Sequence, residues 1–375
     1  MKARMRGPLG LVALVVLVGA VFLWMNRGGG EATASEREAE KQAAVGGSDA
    51  DTGASRARSN SGSKPKPDAQ APVASGEKAR PELIAELAWG SGPSELGRDR
   101  PEEANPEAPM SLAVDALGNI VMLDQVNGRL VRLDADGKAV GSFSTTQQAP
   151  QDVVVAGDGK LLVMDRLVDR TVAIMDPDTG RLLGELPVVG ENIDDPGLVT
   201  GTFEYEGSVY VERDHGALVR IGDTTGQADT ERPELPGRIS RDGRFLLLTG
   251  LIERETGRIY LNVIDRQTSQ HRYTREFNLQ FPLWRIALLD TDLTGIIHLG
   301  VIGEVNPHGV TPAEQLGLRL YCIEPLEGRV LGQTELPISH LPEESFRDYQ
   351  VQDEGGIVYQ LRTEQGVSLR RASCH

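Results

Sequence analysis

The sequence predicts an all-β fold, a six-bladed β-propeller with four-stranded blades, preceded by one transmembrane helix and a disordered linker. Three observations predict the propeller. From residue 81 onward short apolar runs alternate with Gly, Asp and Asn turns, one hairpin pattern recurs along the chain, and the last repeat lacks its fourth strand. Repeats that each carry about four strands and share hairpin chemistry are typical of propellers rather than of sandwiches.

The β pattern covers residues 81–375. Runs rich in Val, Ile and Leu are bounded by turn residues, and the sequence shows no convincing amphipathic helix of ten or more residues. Aromatic residues make up 5% of the chain, so we expect an aliphatic core.

A first hairpin pattern repeats three times. MDPDTGRLLG (175–184) aligns without gaps with IEPLEGRVLG (323–332), and LDADGKAVG (133–141) matches both with one residue deleted. Tight hairpins favour glycine where φ is positive. The glycines in that position are Gly137, Gly180 and Gly328.

A second hairpin pattern lies upstream of the first. AVDALGNIVMLD (113–124) and VVAGDGKLLVMD (154–165) share a glycine, a polar residue and two apolar residues, and four weaker copies follow. The six glycines are Gly118, Gly159, Gly207, Gly243, Gly295 and Gly356, at separations of 41, 48, 36, 52 and 61 residues. Each marks the turn between the first two strands of a blade, which predicts six blades; seven blades of about 42 residues stay an alternative.

The two ends of the domain complement each other. The last unit, within 346–371, has three strands, whereas LIAEL (83–87) matches the fourth-strand pattern of LLGEL (182–186). We therefore expect the N-terminal strand to complete the C-terminal blade, since such closure protects sheet edges.

Residues 89–143 resemble one NHL repeat. The matching positions are Gly90, Gly92, Pro109, Val114, Asp115, Gly118, Asn119, Asp124, Asn127 and Arg129. The second unit keeps Gly159, Asp165 and Arg170 but has Asp169 where the family has Asn, and later units drift further. The resemblance covers about two of six units, and it implies a six-bladed fold with a binding or scaffolding role.

The N-terminus carries a membrane-targeting pattern. Three basic residues precede the 18-residue apolar stretch from Pro8 to Met25, whose length as a helix is about 27 Å, close to the bilayer core. We expect an uncleaved anchor over 1–27 with its N-terminus in the cytoplasm, a disordered linker over 28–80, and an exported propeller over 81–375. Signal cleavage near Ala32 to Ala34, giving a secreted periplasmic or extracellular domain, stays an alternative.

Charge disfavours nucleic acid as a partner. Residues 81–375 contain 27 Lys and Arg against 47 Asp and Glu, and no basic cluster with interleaved aromatics offsets this surplus. We expect a monomer that binds a protein or a saccharide through loops on one face.

The alternative is a lactonase-like hydrolase or lyase with a divalent ion, such as Ca²⁺, in the central channel. Carboxylates from different units near strand ends are the candidates: Asp115, Glu204, Asp290 and Asp348. Asp is also a common turn residue for its own hydrogen-bonding reasons, and that interpretation is favoured. The six histidines show no metal-site spacing, and neither a nucleophile elbow nor a P-loop is present, so the sequence assigns no catalytic, cofactor or metal residue.

Two further features bear on stability and binding. Cys322 and Cys374 fall near third strands of adjacent units, which we expect to lie beyond the Cα separation of about 7 Å that a disulfide allows, although the C-terminal tail could reach. A disulfide and a buried free thiol therefore both stay open. The longest excursion within a unit, 303–317, predicts a loop, and a tolerated insertion is favoured over a binding role.

Overall fold

The computed structural model describes residues 81–374, which form six four-stranded antiparallel sheets. Blades 1 to 6 are numbered in chain order. The strands are β1 (Glu82–Ala88), in blade 6; β2 (Ser111–Val114), β3 (Ile120–Asp124), β4 (Arg129–Leu133) and β5 (Ala139–Ser144), in blade 1; β6 (Asp152–Val155), β7 (Leu161–Asp165), β8 (Thr171–Met175) and β9 (Leu182–Pro187), in blade 2; β10 (Val199–Tyr205), β11 (Ser208–Arg213), β12 (Ala217–Asp223) and β13 (Glu234–Leu235), in blade 3; β14 (Arg238–Ile239), β15 (Phe245–Glu253), β16 (Arg258–Asp265) and β17 (His271–Asn278), in blade 4; β18 (Leu283–Thr291), β19 (Ile297–Gly303), β20 (Gly317–Ile323) and β21 (Val330–Leu336), in blade 5; and β22 (Tyr349–Val351), β23 (Ile357–Arg362) and β24 (Gly366–Ala372), in blade 6.

The six hairpin glycines lie where the sequence predicts them. Each connects the first and second strands of its blade, and all have φ between +72° and +87°. An L-residue with a side chain rarely adopts this conformation, so glycine relieves strain at each turn. The six-bladed prediction is confirmed, with four antiparallel strands in every blade.

The chain ends share one sheet, as predicted. Strand β1 pairs with β24 from Glu82 opposite Arg371 to Ala88 opposite Gly366. Leu87 is 5% exposed and belongs to a buried apolar cluster that includes Leu369. The N-terminal strand therefore closes the ring by backbone hydrogen bonds and by a side-chain contact to the core.

Apolar clusters fill five of the six junctions between neighbouring blades in the described part of the chain. Polar contacts join blades 3 and 4. There Arg238 Nε lies 2.5 Å from Glu212 Oε1, and the Arg266 guanidinium lies 4.7 Å from the ring centroid of Tyr205. An ion pair and a cation–aromatic contact thus link these two blades.

Blades 4 and 5 depart from the regular size. The first strand of blade 5, β18, has nine residues, whereas the first strands β2 and β6 have four. The second strand of blade 4, β15, has nine residues, whereas the second strands β3 and β7 have five. The predicted excursion after β19 contains a four-residue helix, α1 (Pro312–Gln315), which begins after a capping box formed by Thr311 and Glu314. No helix within residues 81–374 is long and apolar enough to cross a membrane, and the stretch from Pro8 to Met25 lies outside the described residues.

Candidate functional site

The axis of the ring is crossed by a buried ion pair. Arg347, just before β22, donates from Nε and Nη2 to the two carboxylate oxygens of Asp152 on β6, at 2.9 and 2.7 Å. The same carboxylate accepts from Ser111 Oγ at 2.8 Å and from the Thr202 amide at 2.9 Å. These four residues come from blades 6, 2, 1 and 3, so one polar network joins four inner strands.

Two further arginines extend this network. Arg238 on β14 pairs with Glu212 and donates from Nη1 to the Leu289 carbonyl oxygen at 2.5 Å. Arg241 pairs with Asp290 at 2.9 Å and with Asp353 at 2.7 Å. Blades 4 and 5 are thereby tied to blades 3 and 6, and the centre of the ring is closed rather than open.

Two cavities lie at opposite ends of the inner strands. Arg347 and Phe203 line both and separate them. We call the first, of about 810 Å³, the acidic mouth; it lies beside the glycine hairpins, and its charged residues are Asp115, Asp158, Glu204, Glu206, Asp290, Asp353, Arg241 and Arg347. We call the second, of about 610 Å³, the arginine-rich mouth; its charged residues are Arg238, Arg254, Arg285, Arg347, Glu212, Asp214 and Asp348, with His215 beside them.

The candidate carboxylates are not free to converge on an ion. Asp115 accepts from the amides of Leu117 and Asn119, both at 2.9 Å, and Glu204 accepts from the amides of Gly157 and Gly207 at 2.8 and 2.6 Å. These bonds hold the hairpins, as the turn interpretation predicts.

The remaining two candidates are committed to ion pairs. Asp290 faces the acidic mouth but is held by Arg241, while Asp348 lines the opposite mouth and accepts from Ser345 Oγ at 2.7 Å and Gln360 Nε2 at 3.0 Å. The structure therefore brings Asp115, Glu204 and Asp290 to one cavity and Asp348 to the other. None of the four belongs to a group of three or more metal-ligating side chains within residues 81–374.

The long strands of blades 4 and 5 build one wall of the arginine-rich mouth. Trp284 lies near the start of β18 and lines this mouth, and the residue is 55% exposed. Arg254 Nη1 donates to the Trp284 carbonyl oxygen at 2.9 Å, and Arg285 follows in the chain. Trp284, Arg254 and Arg285 therefore line the same mouth.

A glycine shapes the same wall. Gly250 on β15 lies opposite Tyr260 on β16, and a Cβ atom at Gly250 would lie 2.5 Å from Cε1 of the tyrosine ring. The tyrosine ring therefore lies flat across the glycine, which a larger residue would prevent. Both residues line the arginine-rich mouth.

Glu212 and His215 are two titratable residues of the arginine-rich mouth with shifted pKa values. Burial opposes ionisation of Glu212, but the Arg238 guanidinium and the Thr200 hydroxyl hold its pKa below the ordinary value. The pKa of His215 is lowered because partial burial disfavours its charged form and Arg238 repels it, which outweighs the attraction of Glu212. At neutral pH the site therefore contains a carboxylate and a neutral imidazole.

The two cysteines lie together beneath blade 5. They form a disulfide with Cα atoms 5.9 Å apart, because Cys374 lies two residues beyond β24 and the tail crosses to Cys322 on β20. The sequence left this pairing open because the C-terminal tail could reach, and the tail does reach Cys322 here. Mass measurement of the purified protein with and without reductant tests this disulfide.

A buried histidine accompanies these cysteines. His298 Nδ1 lies 3.6 Å from Cys322 Sγ, and His298 Nε2 lies 3.2 Å from Asp292 Oδ2. Burial opposes ionisation of Asp292, but hydrogen bonds from His298 and Thr294 lower its pKa. The sequence gives no signal for this cluster because its members lie on different strands.

The motif residues of blade 1 have a structural role. Asp124 accepts from Arg129 Nε and Asn127 Nδ2, both at 2.8 Å, and Asn127 also donates to the Gly90 carbonyl oxygen at 2.9 Å. Arg129 reaches the Gly92 carbonyl oxygen at 2.9 Å. These motif residues thus fasten the segment after β1 to the second hairpin of blade 1.

Trp284, Arg254, Arg285 and Arg347 were not candidates from sequence. Each is a common residue in a strand or loop, and no motif surrounds them. The run Phe281-Pro282-Leu283-Trp284-Arg285 offered one signal, since the chain has only three tryptophans and this one neighbours an arginine.

The comparisons with known proteins concern the fold alone. No protein-family model and no curated protein matches the sequence. Among solved structures, hydrazine synthase of Kuenenia stuttgartiensis is 15% identical with a TM-score of 0.47, over 70% of this chain and 78% of that chain. Streptogramin B lyase is 12% identical with a TM-score of 0.41, over 74% and 97%. BamB from Moraxella catarrhalis is 11% identical with a TM-score of 0.36, over 78% and 99%. At these identities no activity or ligand is transferred to this chain.

Proposed function

We propose that this chain is a binding module, a monomeric propeller that holds a partner at the arginine-rich mouth. The observation that carries the proposal is the wall of that mouth, where the long strands of blades 4 and 5 present Trp284 beside Arg254. An exposed aromatic ring beside cationic groups in a concave site is a common arrangement for ligand binding.

The setting of the module is part of the same proposal. The stretch from Pro8 to Met25 would anchor the chain, and residues 28–80 would tether a propeller that works outside the cytoplasm. The length and flanking charges of the apolar stretch support this proposal. The blade 1 motif likewise supports a relation to the NHL-repeat family, which implies a binding or scaffolding role.

Two measurements test the setting. Intact mass of the purified protein distinguishes an uncleaved anchor from a chain that begins after Ala34. Protease added to intact cells whose outer barrier has been removed should digest the propeller, because it lies outside the inner membrane. A protected propeller would overturn the exported location.

Photo-crosslinking tests the site. A benzoylphenylalanine residue replaces Trp284 in the full chain, and the matched control replaces Leu117, which is 81% exposed and lines the acidic mouth. We expect adducts in cells from position 284 and few from position 117. Equal adducts at both positions, or adducts at 117 alone, would overturn the assignment of the mouth.

The alternative enzyme with a channel-bound divalent ion is less well supported. Each of its four candidate carboxylates already accepts hydrogen bonds or pairs with an arginine. We therefore expect neither Ca²⁺ nor a chelator to change the melting temperature of the propeller. A rise with Ca²⁺ that the chelator reverses would favour the enzyme.

A further inference from the structure

The two mouths differ in net charge. Arg347 lines both and is paired with the buried Asp152. Apart from Arg347, the acidic mouth has six carboxylates against one arginine, whereas the arginine-rich mouth has three arginines against three carboxylates. The domain around them has 47 acidic and 27 basic residues in 81–375, so the arginine-rich mouth is less negative than the rest of the protein. An anionic group is therefore repelled less at this mouth than elsewhere.

Two of the four arginines are not held in a short ion pair. Arg238 and Arg347 are committed to the buried carboxylates Glu212 and Asp152. Arg254 donates only to the carbonyl oxygens of Leu283 and Trp284, and it forms no ion pair within the part of the chain that the structure describes. Arg285 is 3.8 Å from Asp348, a carboxylate already held by other donors, and its side chain is 55% exposed. These two guanidinium groups therefore remain available to an anionic ligand.

The aromatic surface indicates which anionic ligand fits. Trp284 is exposed within the cavity, and the flat ring of Tyr260 lies on the same wall. Aromatic faces pack well against the apolar face of a pyranose ring, while hydroxyl groups at the ring edge need polar partners. Asp214 lines the same mouth and offers an acceptor, whereas the hydroxyls of Thr200 and Thr249 already donate to Glu212 and to the Tyr260 carbonyl oxygen.

Size and shape favour a saccharide over a protein surface. The cavity of about 610 Å³ is within the range of small-ligand sites, whereas a stable protein interface needs about 800 Å² on each partner. An extended peptide commonly adds to an exposed strand edge. Strand β18 is the first strand of blade 5 and pairs with β19 alone among the described strands, so its other edge is unpaired. An acidic peptide is therefore the competing occupant, and a hexaglutamate peptide tests it.

We infer that the arginine-rich mouth binds a saccharide that carries a carboxylate, with Trp284 under a sugar ring and Arg254 and Arg285 at the carboxylate. This inference rests on the proposed function and names its ligand class. The acidic sugar would enter at the end of the ring where β15 and β18 line the arginine-rich mouth. A neutral sugar of the same shape would lose the charged contacts.

The test pairs ligand and protein changes. Binding of trigalacturonate to the full chain is measured by calorimetry and compared with its methyl ester, which keeps the rings and removes the charge. The variants are Trp284→Ala, Arg254→Gln and Arg285→Gln. Arg181→Gln, at the exposed hairpin between β8 and β9, is the control with the same charge change. Melting temperatures verify that each variant is folded.

We expect trigalacturonate to bind about tenfold more tightly than its ester, since the ester loses the charge-assisted hydrogen bonds to the two guanidinium groups. Arg254→Gln and Arg285→Gln should each reduce this preference, Trp284→Ala should weaken both ligands, and Arg181→Gln should change neither. Monogalacturonate in a parallel titration shows whether one ring suffices.

Other outcomes overturn the inference in separable ways. Equal binding of acid and ester, with loss in Trp284→Ala, would show that the carboxylate inference is wrong while the mouth still binds. Tighter binding of a hexaglutamate peptide that depends on Arg285 would replace saccharide by acidic peptide. No binding of any galacturonate would reject the ligand class, and binding unaffected by all three variants would place the site elsewhere and contradict the proposed function.

Discussion

Removing the arginine at the axis should destabilise the whole ring. Asp152 is fully buried and accepts hydrogen bonds from Arg347, Ser111 and Thr202. In Arg347→Met the carboxylate keeps neutral donors but loses its counter-charge. Breaking a buried ion pair in this way costs about 3–5 kcal/mol, because an uncompensated charge stays in a medium of low dielectric. A domain has about 5–15 kcal/mol in total, so this is a large share.

Urea denaturation at pH 7, followed by circular dichroism, measures the effect. We expect Asp152→Asn to cost a similar amount, and the double variant Asp152→Asn/Arg347→Met to cost less than the sum, since it removes both charges. The control is Asp178→Asn, which breaks the Arg132 to Asp178 pair at 3.6 Å, where the aspartate side chain is 85% exposed. That change should cost less than about 1 kcal/mol.

A loss below about 1 kcal/mol in Arg347→Met would refute the reasoning. So would strict additivity of the two single variants. Either result would mean that water or another group satisfies the carboxylate when the arginine is removed.

Three other predictions concern closure, oxidation and acid. Leu87→Asp should lower the free energy of unfolding by at least about 3 kcal/mol, because it places a charge among buried side chains. Leu83→Asp on the same strand, where the leucine is 48% exposed, should lower it by less than about 1 kcal/mol in the same denaturation assay. Equal losses would contradict closure by β1. Cys374→Ser should lower stability by up to about 4 kcal/mol, since the bond to Cys322 spans 52 residues, and identical urea midpoints with and without reductant would show that no disulfide forms. Asp292 has a lowered pKa, so its contribution is present above the ordinary value of 3.8 and is lost as the pH falls through the lowered one. The stability gap between the wild type and Asp292→Asn should therefore shrink below about pH 4, and a constant gap would count against this linkage.

The architecture was predictable because short stretches of neighbouring residues determine its turns and strands. A glycine in a tight turn, such as Gly207 or Gly356, has a conformational requirement that is visible without any partner residue. The displaced fourth strand was also visible, because β1 keeps the alternation of the other outer strands. Blades 3 to 6 lack the blade 1 motif, yet their turn glycines kept the repeat detectable.

The site was mostly not predictable because its contacting residues are far apart in the sequence. Arg347 and Asp152 are 195 residues apart, and nothing near either one indicates the other. The carboxylates singled out from sequence follow a rule that favours strand ends, and strand ends are also where turns need acceptors, as Asp115 and Glu204 show. The wall of the arginine-rich mouth depends on strand lengths in blades 4 and 5, which vary without a sequence signature.

The cysteine pair shows a third limit. The spacing between third strands left the pairing of Cys322 and Cys374 undecided, because Cys374 lies two residues beyond its strand and the tail sets its position. A residue outside the strands does not follow the geometry of the repeat, so the repeat pattern alone could not decide between a disulfide and a free thiol.

Hydrogen exchange of the full chain with and without trigalacturonate tests the central claim most directly, because it maps the ligand without any substitution. Protection should appear in 247–251 and 284–289, the segments that wall the arginine-rich mouth. Protection confined to 113–117 and 154–159, at the acidic mouth, would contradict the account.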